Sequence, residues 1–487
     1  MRLLEGFTRC PDRVAFTIGD AALTYSELDK RSSAYAAGLA ERGVSPGDRV
    51  AVQSGSSMEL IIALIGHLRS GIIHVPINTR YLGEEIAHIL TDSGASMVLF
   101  DDDAKAGGVA TSLGLPSVAI SELPRSNAVP PSVDDATETA MLIYTSGTTG
   151  RSKGVALSLS ALTANIGATT GLWQWSSTDH LVLTLPLFHV HGLGLGVLGT
   201  LLNQMTATIH TRFDAASVVA AVGSGASIFM GVPTMYARLI AHLEGSDKAT
   251  AALQKARLFT SGSAALPASA HAAFERLTKK RILERYGMSE TGFTLSNPYE
   301  GARRAGTVGH AVPGYAVKVV DDRGAVCAEG EPGEIWVRGD GMMSGYWGQP
   351  EVTEAAFTDG WFRTGDVAKV DADGYHQILG RRSADIIKSG GFKISALEIE
   401  DVLLRHPAVL EAAVLGLADA EWGERIEAAV VLEPTQSFDP EALLGLARAH
   451  LASYKCPRQV HVMESLPRNA LGKLQKHRLK ELLGADQ

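Results

Sequence analysis

The chain has 487 residues, of which 45% are hydrophobic and 20% are charged, and its formal net charge is -9. This length exceeds what one hydrophobic core usually supports, so two or three domains are expected. The acidic balance argues against a general nucleic-acid binder, because sequence-independent binding of phosphates needs a net basic face.

The cysteines and the amino terminus predict a cytoplasmic protein. Cys10, Cys327 and Cys456 are too far apart for a paired metal site, and three is an odd number for a disulfide framework. The first residues become charged quickly and lack the long apolar core of a signal peptide. A reducing compartment therefore fits best.

Helical and strand patterns alternate from the amino terminus. Thr24 and Glu27 have the spacing of a capping box, which begins an alanine-rich helix that closes near Gly43. Strands are predicted at 49–53, 72–77 and 97–100, with helices at 58–69 and 84–91 between them. This alternation is typical of a parallel α/β sheet.

The rest of the chain predicts a second α/β layer and two smaller parts. Alternation returns between residues 157 and 282, with helices at 215–222 and 233–242, and residues 309–380 predict a β-rich subdomain. A second capping-box spacing, at Ser395 and Glu398, begins a compact α/β unit. We therefore predict the α/β class, with a large amino-terminal domain (1–381) and a small, mobile carboxyl-terminal α/β domain (382–487). The last domain should contain a helix at 440–450 and strands at 409–417, 426–432 and 459–463.

Residues 181–202 are apolar enough to need an explanation. They carry no charge apart from histidine and are long enough to cross a bilayer, but Pro186 and four glycines favour a buried strand, loop and helix. We therefore expect no membrane span. Gly194, Gly196 and Gly199, followed by Asp214, also match a dinucleotide fingerprint. A dinucleotide site requires a tight turn between the strand and the first glycine, but here residues 186–192 lie between them. An NAD-dependent oxidoreductase is therefore disfavoured.

The segment from Tyr144 to Gly154, YTSGTTGRSKG, is suited to wrapping a polyphosphate. Glycines let backbone amides approach anionic oxygens, the hydroxyls add donors, and Lys153 adds a positive charge. A buried strand at 141–144 precedes the segment. A solvated turn is the alternative. The spacing of its glycine, lysine and serine residues does not match the phosphate-binding loop of kinases and GTPases.

Further motifs follow in a specific order. They are PLFHVHG at 186–192, ERYGMSET at 284–291, RTGD at 363–366, GRR followed by IIKSGGFKIS from Gly380, and PRNALGK at 467–473. Together with the glycine-rich loop, they resemble the acyl-adenylate-forming superfamily of acyl-CoA synthetases, adenylation domains and luciferases nearly end to end. WQW at 173–175, GVPTMY at 231–236 and SGSAALP at 261–267 make the malonyl-CoA synthetases the closest group.

The resemblance implies an ATP site and a set of catalytic groups. Glu290 is expected to hold Mg²⁺, and Lys473 is expected to swing in and bridge the attacking carboxylate and the α-phosphate. Thr148 is the third catalytic residue, Tyr286 is expected to face the adenine, and Asp366 to bind the ribose. The ATP-binding residues implied are Thr145, Ser146, Gly147, Thr148, Thr149, Gly150, Lys153, Gly262, Ser263, Glu284, Arg285, Tyr286, Gly287, Met288, Ser289, Thr291, Asp366 and Arg381.

The resemblance also implies a second half-reaction with coenzyme A. The small domain is expected to rotate, which withdraws Lys473 and presents the CoA-binding residues Lys388, Ser389, Gly390 and Gly391. The sequence departs from the family at the hinge, where one extra residue follows Gly380 and Arg381. The pivot is therefore Ser383 or Ala384.

Arg285 is the strongest indication of the acid. A guanidinium in the acyl pocket could pair with a second carboxylate on the substrate, which makes malonate the natural fit. An ion pair with Glu284 or Glu290 is the alternative. His189 and Ser261 are the other acyl-pocket candidates, although His189 could equally be a core histidine. An amino acid is disfavoured, because Phe188 is followed by histidine where amino-acid-activating relatives have aspartate.

The predicted reaction converts malonate, ATP and CoA to malonyl-CoA, AMP and diphosphate through malonyl adenylate. Another short-chain or dicarboxylic acid, or a carrier protein as acceptor, is the alternative. The expected partners are these small molecules with Mg²⁺ and no nucleic acid. The protein is expected to be a monomer or a homodimer.

Overall fold

The computed structural model describes residues 2–101, 105–130, 138–145, 152–382, 385–389, 392–419, 422–434, 436–451, 453–468 and 474–484. Its contacts divide the chain into two compact units. The first unit comprises Met1–Leu266, Ala270–Ala316 and Val337–Phe362, and the second comprises Pro267–Ser269, Val317–Trp336 and Arg363–Gln487. The boundary of a mobile domain at residues 381–382 stays a prediction.

The strands are numbered in chain order. Strands β1 to β8 are Val14–Ile18, Ala21–Thr24, Arg49–Gln53, Ile73–Pro76, Met97–Phe100, Ser117–Ala119, Thr139–Thr145 and Lys153–Ser158. Strands β9 to β15 are His180–Leu183, Thr206–Ile209, Ile228–Gly231, Leu258–Ser261, Leu283–Met288, Gly292–Ser296 and His310–Ala311. Strands β16 to β26 are Tyr315–Val320, Gly333–Gly339, Gly345–Tyr346, Phe357–Thr358, Trp361–Val370, His376–Arg381, Ile386–Ser389, Phe392–Ser395, Val409–Asp419, Gly423–Leu432 and Gln459–Val462.

The helices are numbered in the same way. Helices α1 to α8 are Gly6–Arg9, Tyr25–Glu41, Met58–Arg69, Gly83–Ser93, Ala106–Ser112, Leu159–Leu172, Gly199–Leu202 and Ala215–Gly223. Helices α9 to α15 are Pro233–Leu243, Asp247–Leu253, Ala268–Thr278, Pro350–Ala355, Ala396–Leu403, Pro440–His450 and Lys476–Gly484. A π-helix spans Val190–Leu198, and short 3-10 helices span Arg2–Leu4, Ile120–Glu122 and Ser453–Lys455.

Two large sheets confirm the predicted α/β class. One has seven strands in the order β18-β8-β7-β4-β3-β5-β6, and the other has nine in the order β15-β14-β13-β12-β11-β9-β10-β1-β2. The inner strands pair in parallel, as predicted, whereas β2, β8, β14, β15 and β18 pair antiparallel at or near the ends. The predicted β-rich segment forms the sheet β16-β17-β20-β19, with β21 beside β20.

Side-chain capping explains why helix α2 begins where the sequence predicts. The Thr24 side chain accepts a hydrogen bond from the Glu27 N–H at 3.2 Å, and the Glu27 carboxylate accepts one from the Thr24 N–H at 2.8 Å. The second predicted capping box forms only in part. Ser395 caps α13 through the Glu398 N–H at 3.3 Å, but the Glu398 carboxylate binds the Lys455 ammonium instead of the Ser395 N–H.

The apolar stretch near residue 190 is buried, as predicted. It comprises β9, a loop, the π-helix and α7. Gly194 and Gly196 lie inside the π-helix and not at a strand-to-helix turn, so the dinucleotide fingerprint is fortuitous. Gly196 packs closely against Leu183, whose side chain would have to shift to admit a Cβ. Within the described ranges, no helix combines the length and the apolar character that crossing a bilayer needs.

A row of buried polar rings crosses the core of the first unit. The Tyr35 hydroxyl lies 2.7 Å from His67 Nε2, and His67 Nδ1 lies 3.0 Å from His74 Nδ1. Burial lowers the pKa of His67 well below its usual value, with His74 adding to the effect. Burial also lowers the pKa of His74 to about 3. Both imidazoles are therefore neutral in the folded protein at neutral pH.

The melting temperature is expected to fall as the pH decreases from about 7 to about 5. Below about pH 6.5 the unfolded chain protonates these histidines, whereas the folded chain leaves His74 neutral until near pH 3. The unfolded state then binds more protons, which costs about 2 kcal/mol per histidine at about pH 5. His74→Asn should flatten the dependence measured by thermal unfolding, whereas the exposed His242→Asn should not. Parallel curves for all three proteins would contradict this account.

Candidate active site

The nine-stranded sheet has its topological switch point between β9 and β11. The chain runs from β9 to β10 on one side and returns to β11 on the other. In open α/β sheets, ligands bind outside the carboxyl ends of the strands at such a point. His189 and His191 follow β9, and Ser261 ends β12 beside β11. The predicted acyl-pocket residues His189 and Ser261 therefore lie at the end of the sheet where a ligand is expected, together with His191, which was not among the predicted site residues.

Arg285, in β13, is buried and has unsatisfied donors. Its Cζ lies 4.6 Å from the centroid of the Phe293 ring. It also packs against Gly262, where any Cβ would clash with the guanidinium. Its Nε and Nη2 have no hydrogen-bond partner. Because these nitrogens share one edge of the planar group, they form a fork that matches a carboxylate.

Neither ion pair that would make Arg285 structural is formed. Instead, the Glu284 carboxylate accepts hydrogen bonds from the Leu266 N–H at 2.9 Å and from His271 Nε2 at 3.1 Å. Among the residues that the structure describes, no carboxylate forms an ion pair with Arg285. The sequence left the ion pair and the substrate contact open, and the geometry leaves the guanidinium edge available.

Burial sets the electrostatics of this pocket. It lowers the pKa of Arg285 to about 9, so the guanidinium is still protonated at neutral pH. Burial lowers the pKa of His189 to about 4. It also holds the pKa of His191 well below the usual value, and the charge on Arg285 and the neighbouring His189 add to the effect. At neutral pH the pocket therefore presents one cation and two neutral imidazoles.

Hydroxyl and imidazole groups surround the cation. The Ser263 hydroxyl lies 3.4 Å from His191 Nδ1, while His191 Nε2 and the Ser261 hydroxyl are buried without a partner. Ser263 adopts a φ of 70°, a left-handed conformation that is uncommon for residues other than glycine. Buried polar groups are nearly always paired in native proteins. The unpaired groups here could bind a polar ligand.

Glu290 follows β13 and is buried, with a relative exposure of 7%. Its Oε1 accepts a hydrogen bond from the Tyr346 hydroxyl at 3.3 Å, and the Lys153 ammonium lies 5.2 Å from the centroid of the Tyr346 ring. One carboxylate suits Mg²⁺, which commonly takes one or two carboxylates together with phosphate oxygens. In the described part of the chain, no group of three metal-binding side chains occurs.

Strands β7 and β8 form an antiparallel hairpin on either side of the glycine-rich loop. Its residues Ser146, Gly147, Thr148, Thr149 and Gly150 lie outside the described residues, but the Cα pair Thr145 and Lys153 closes the hairpin. Side chains of helix α4 form hydrogen bonds with residues at both ends of this loop.

The Tyr144 hydroxyl donates to Asp92 at 2.7 Å, and His88 Nε2–H donates to the Ser152 carbonyl at 2.7 Å. His88 and Asp92 stand four residues apart on α4, so they lie on one face of the helix.

The hairpin of β13 and β14 positions the remaining predicted nucleotide residues of the first unit. Gly287 is required there, because a Cβ would clash with the Gly292 carbonyl. The Thr291 hydroxyl is fully buried and lies 2.9 Å from that of Thr294. Nucleotide contacts for Thr291 and Glu284 stay predictions, as they do for three partly exposed residues of the same segment: Tyr286, Met288 and Ser289.

The second unit holds the predicted ribose and CoA residues. Asp366 Oδ1 accepts from Arg381 Nε at 2.8 Å, and Arg381 Nη1 donates to the Thr364 carbonyl at 3.1 Å. Lys388 is exposed and Ser389 is buried in β22. Four other predicted residues, Ser383, Ala384, Gly390 and Gly391, lie outside the described residues, as does the predicted catalytic Lys473.

Comparison with known proteins decides the family. The family described as AMP-binding enzyme matches residues 5–347, and its C-terminal domain matches residues 398–473. The chain belongs to the AMP-binding enzyme family. The motif resemblance is thereby confirmed, and this AMP-binding enzyme is an AMP-forming acid–thiol ligase.

Three relatives of this AMP-binding enzyme are similar over most of its length. A malonate–CoA ligase of Arabidopsis thaliana is 37% identical over 91% of this chain and 79% of its own. The ATP-bound structure of MatB from Rhodopseudomonas palustris is 34% identical, covers 99% and 98% of the two chains, and has a TM-score of 0.92. A malonyl-CoA ligase bound to methylmalonyl-CoA and AMP is 41% identical over 96% and 99%, with a TM-score of 0.72.

The sequence motifs missed three contributors to the site of this AMP-binding enzyme. Tyr346, His88 and Asp92 lie outside every motif singled out, and each reaches the site through a contact more than fifty residues away in the chain. No local pattern distinguishes such residues from ordinary strand and helix positions. The tyrosine of a two-residue strand carries the weakest signal of the three.

Proposed function

We propose that this AMP-binding enzyme ligates malonate to coenzyme A. Malonate and ATP would give malonyl adenylate and diphosphate, and CoA would then give malonyl-CoA and AMP. The observation that carries the proposal is the unpaired edge of the buried Arg285 guanidinium. The malonate–CoA ligase and malonyl-CoA ligase names of the relatives support the same acid.

Arg285 would hold one carboxylate of malonate through Nε and Nη2. This leaves the other carboxylate free to attack the α-phosphorus of ATP, forming an oxygen–phosphorus bond as the bond to diphosphate breaks. The CoA sulfur, having lost its proton, then attacks the acyl carbonyl and AMP leaves. A fixed cation at the far end of a short diacid would thus select both the substrate and its orientation.

Several cationic groups would meet the phosphate charge. Lys153 and the hairpin loop would bind the β- and γ-phosphates, Lys473 would approach the α-phosphate, and Asp366 would accept from the ribose hydroxyls. Glu290 would hold Mg²⁺, which would supply charge neutralisation for the developing transition state. Lys388 and the residues after it would contact CoA. The cytoplasmic location and the monomer or homodimer state stay predictions.

A monocarboxylic acid would leave the buried Arg285 donors unpaired, which costs about 1 to 3 kcal/mol. The test is AMP release with CoA across malonate, methylmalonate, succinate, acetate, butyrate and octanoate. We expect the highest kcat/KM for malonate, with acetate and butyrate at least about 10-fold lower. A preference for any monocarboxylic acid would overturn the proposal.

A further inference from the structure

Tyr346 is anchored by its backbone to the strand that carries Lys153. Strand β18 pairs antiparallel with β8, so that Tyr346 stands opposite Val155. The Trp347 N–H donates to the Gly154 carbonyl at 2.7 Å, directly after Lys153. The backbone of Tyr346 is therefore held beside the strand that begins at Lys153.

The same short segment is also fixed to Glu290. The Met343 N–H donates to the Glu290 carbonyl at 2.8 Å, and the Tyr346 hydroxyl donates to the Glu290 carboxylate at 3.3 Å. One backbone bond and one side-chain bond thus join the segment to this residue. The ring face of Tyr346 lies under the Lys153 ammonium, and aromatic faces attract cations.

Tyr346 contacts two groups of opposite charge with two different parts of its side chain. Lys153 and Glu290 form no ion pair with each other among the described residues. Direct pairing would neutralise both groups, whereas the tyrosine contacts each charge with a different part of its side chain. The separation matters because the nucleotide site needs both charges.

We propose that Tyr346 is a positioning residue for the magnesium–nucleotide complex. Its hydroxyl orients the Glu290 carboxylate toward the metal, and its ring holds the Lys153 ammonium toward the phosphates. The inference rests on the nucleotide site of the proposed function but not on the identity of the acid. It assigns a role to a residue outside the motifs that defined the site.

Two substitutions separate the two contacts. Tyr346→Phe removes the hydroxyl and keeps the ring, so it should weaken Mn²⁺ binding in the presence of a non-hydrolysable ATP analogue by about 3- to 10-fold. Its affinity for the metal-free analogue should change by less than about 2-fold. Tyr346→Leu removes both contacts, so it should also weaken binding of the metal-free analogue, by ~2- to 5-fold. Electron paramagnetic resonance of Mn²⁺ and calorimetry of the analogue measure these affinities.

Tyr25→Phe is the matched control. The Tyr25 hydroxyl donates to the Met205 carbonyl at 2.9 Å in the core, so its loss should leave Mn²⁺ affinity unchanged. Equal Mn²⁺ affinity in wild type and Tyr346→Phe, in an enzyme that does ligate malonate, would overturn this inference alone. A wild-type enzyme that binds no Mn²⁺ with the analogue would overturn the nucleotide site and this inference together.

Discussion

Replacing Arg285 by alanine is expected to lower kcat/KM for malonate by about 10- to 150-fold, with a much smaller loss for butyrate. The guanidinium keeps its charge at neutral pH, and two of its donors have no protein partner. A substrate carboxylate would satisfy both donors, whereas the methyl end of butyrate would satisfy neither. The ratio of the two kcat/KM values therefore isolates the charged contact.

Packing must be separated from charge in this experiment. The Arg285 side chain also fills space between Phe293 and Gly262, so alanine leaves a cavity. Arg285→Met retains most of the stem and should show the same selective loss for malonate. Arg303→Met is the matched control, because Arg303 is partly buried and donates to backbone carbonyls of Arg281 and Tyr299. Equal losses on both acids in Arg285→Met would show that Arg285 is structural or serves ATP.

The sequence predicted the elements whose signals are local. Strand 49–53 and helices 58–69 and 440–450 occur at the predicted residues, because their periodicity and caps are contained in one short stretch. Helix α4 begins one residue before the prediction and ends two residues after it. Ends shift in this way because the last turn of a helix depends on packing as well as on caps.

The predictions that failed or stayed open depend on distant residues. Glu398 has the spacing of a capping box, but Lys455 lies close enough to take its carboxylate. An ion pair between the two side chains here replaces the expected hydrogen bond to the Ser395 N–H. Whether Arg285 pairs with Glu284 could not be decided from their adjacency. Neighbouring residues in a strand point to opposite faces, and Glu284 faces His271.

The same contrast between local signals and distant contacts applies to the candidate site. The motifs identified the charged groups, because polyphosphate chemistry requires glycine, hydroxyl and lysine in a short segment. They did not identify what holds those groups in place. Asp92 and His88 fix the ends of the hairpin from a helix more than fifty residues earlier. Contacts of this kind are decided by the fold, so they become visible only when the sheet order is known.

Replacing Lys473 by alanine is expected to reduce diphosphate release from malonate and ATP by at least about 100-fold. The lysine is predicted to meet negative charge that develops on the α-phosphate during adenylation only. The second half-reaction should persist, so the variant should still convert supplied malonyl adenylate and CoA to malonyl-CoA at ~50% or more of the wild-type rate, since that step does not use this cation. Quenched-flow measurement of each half-reaction gives the two rates.

The described residues on either side of Lys473 are held by contacts of their own. Arg468 and Leu474 form an isolated β-bridge, and the Gln475 N–H donates to the Pro467 carbonyl at 2.8 Å. Lys476 is held by Asp385 at 2.7 Å. We expect these contacts between described residues to persist in the Lys473→Ala variant, which a thermal-unfolding measurement would check.

Lys480→Ala serves as the control for the Lys473 variant, because Lys480 is half-exposed on α15 and lies 3.6 Å from Glu424. An exposed ion pair of this kind contributes little to stability, so both half-reactions should continue at the wild-type rate. Loss of the second half-reaction together with the first in Lys473→Ala would mean that the lysine serves both conformations. Intact exchange of diphosphate into ATP in that variant would remove the lysine from adenylation altogether, because exchange requires the same bond to α-phosphorus to form and break.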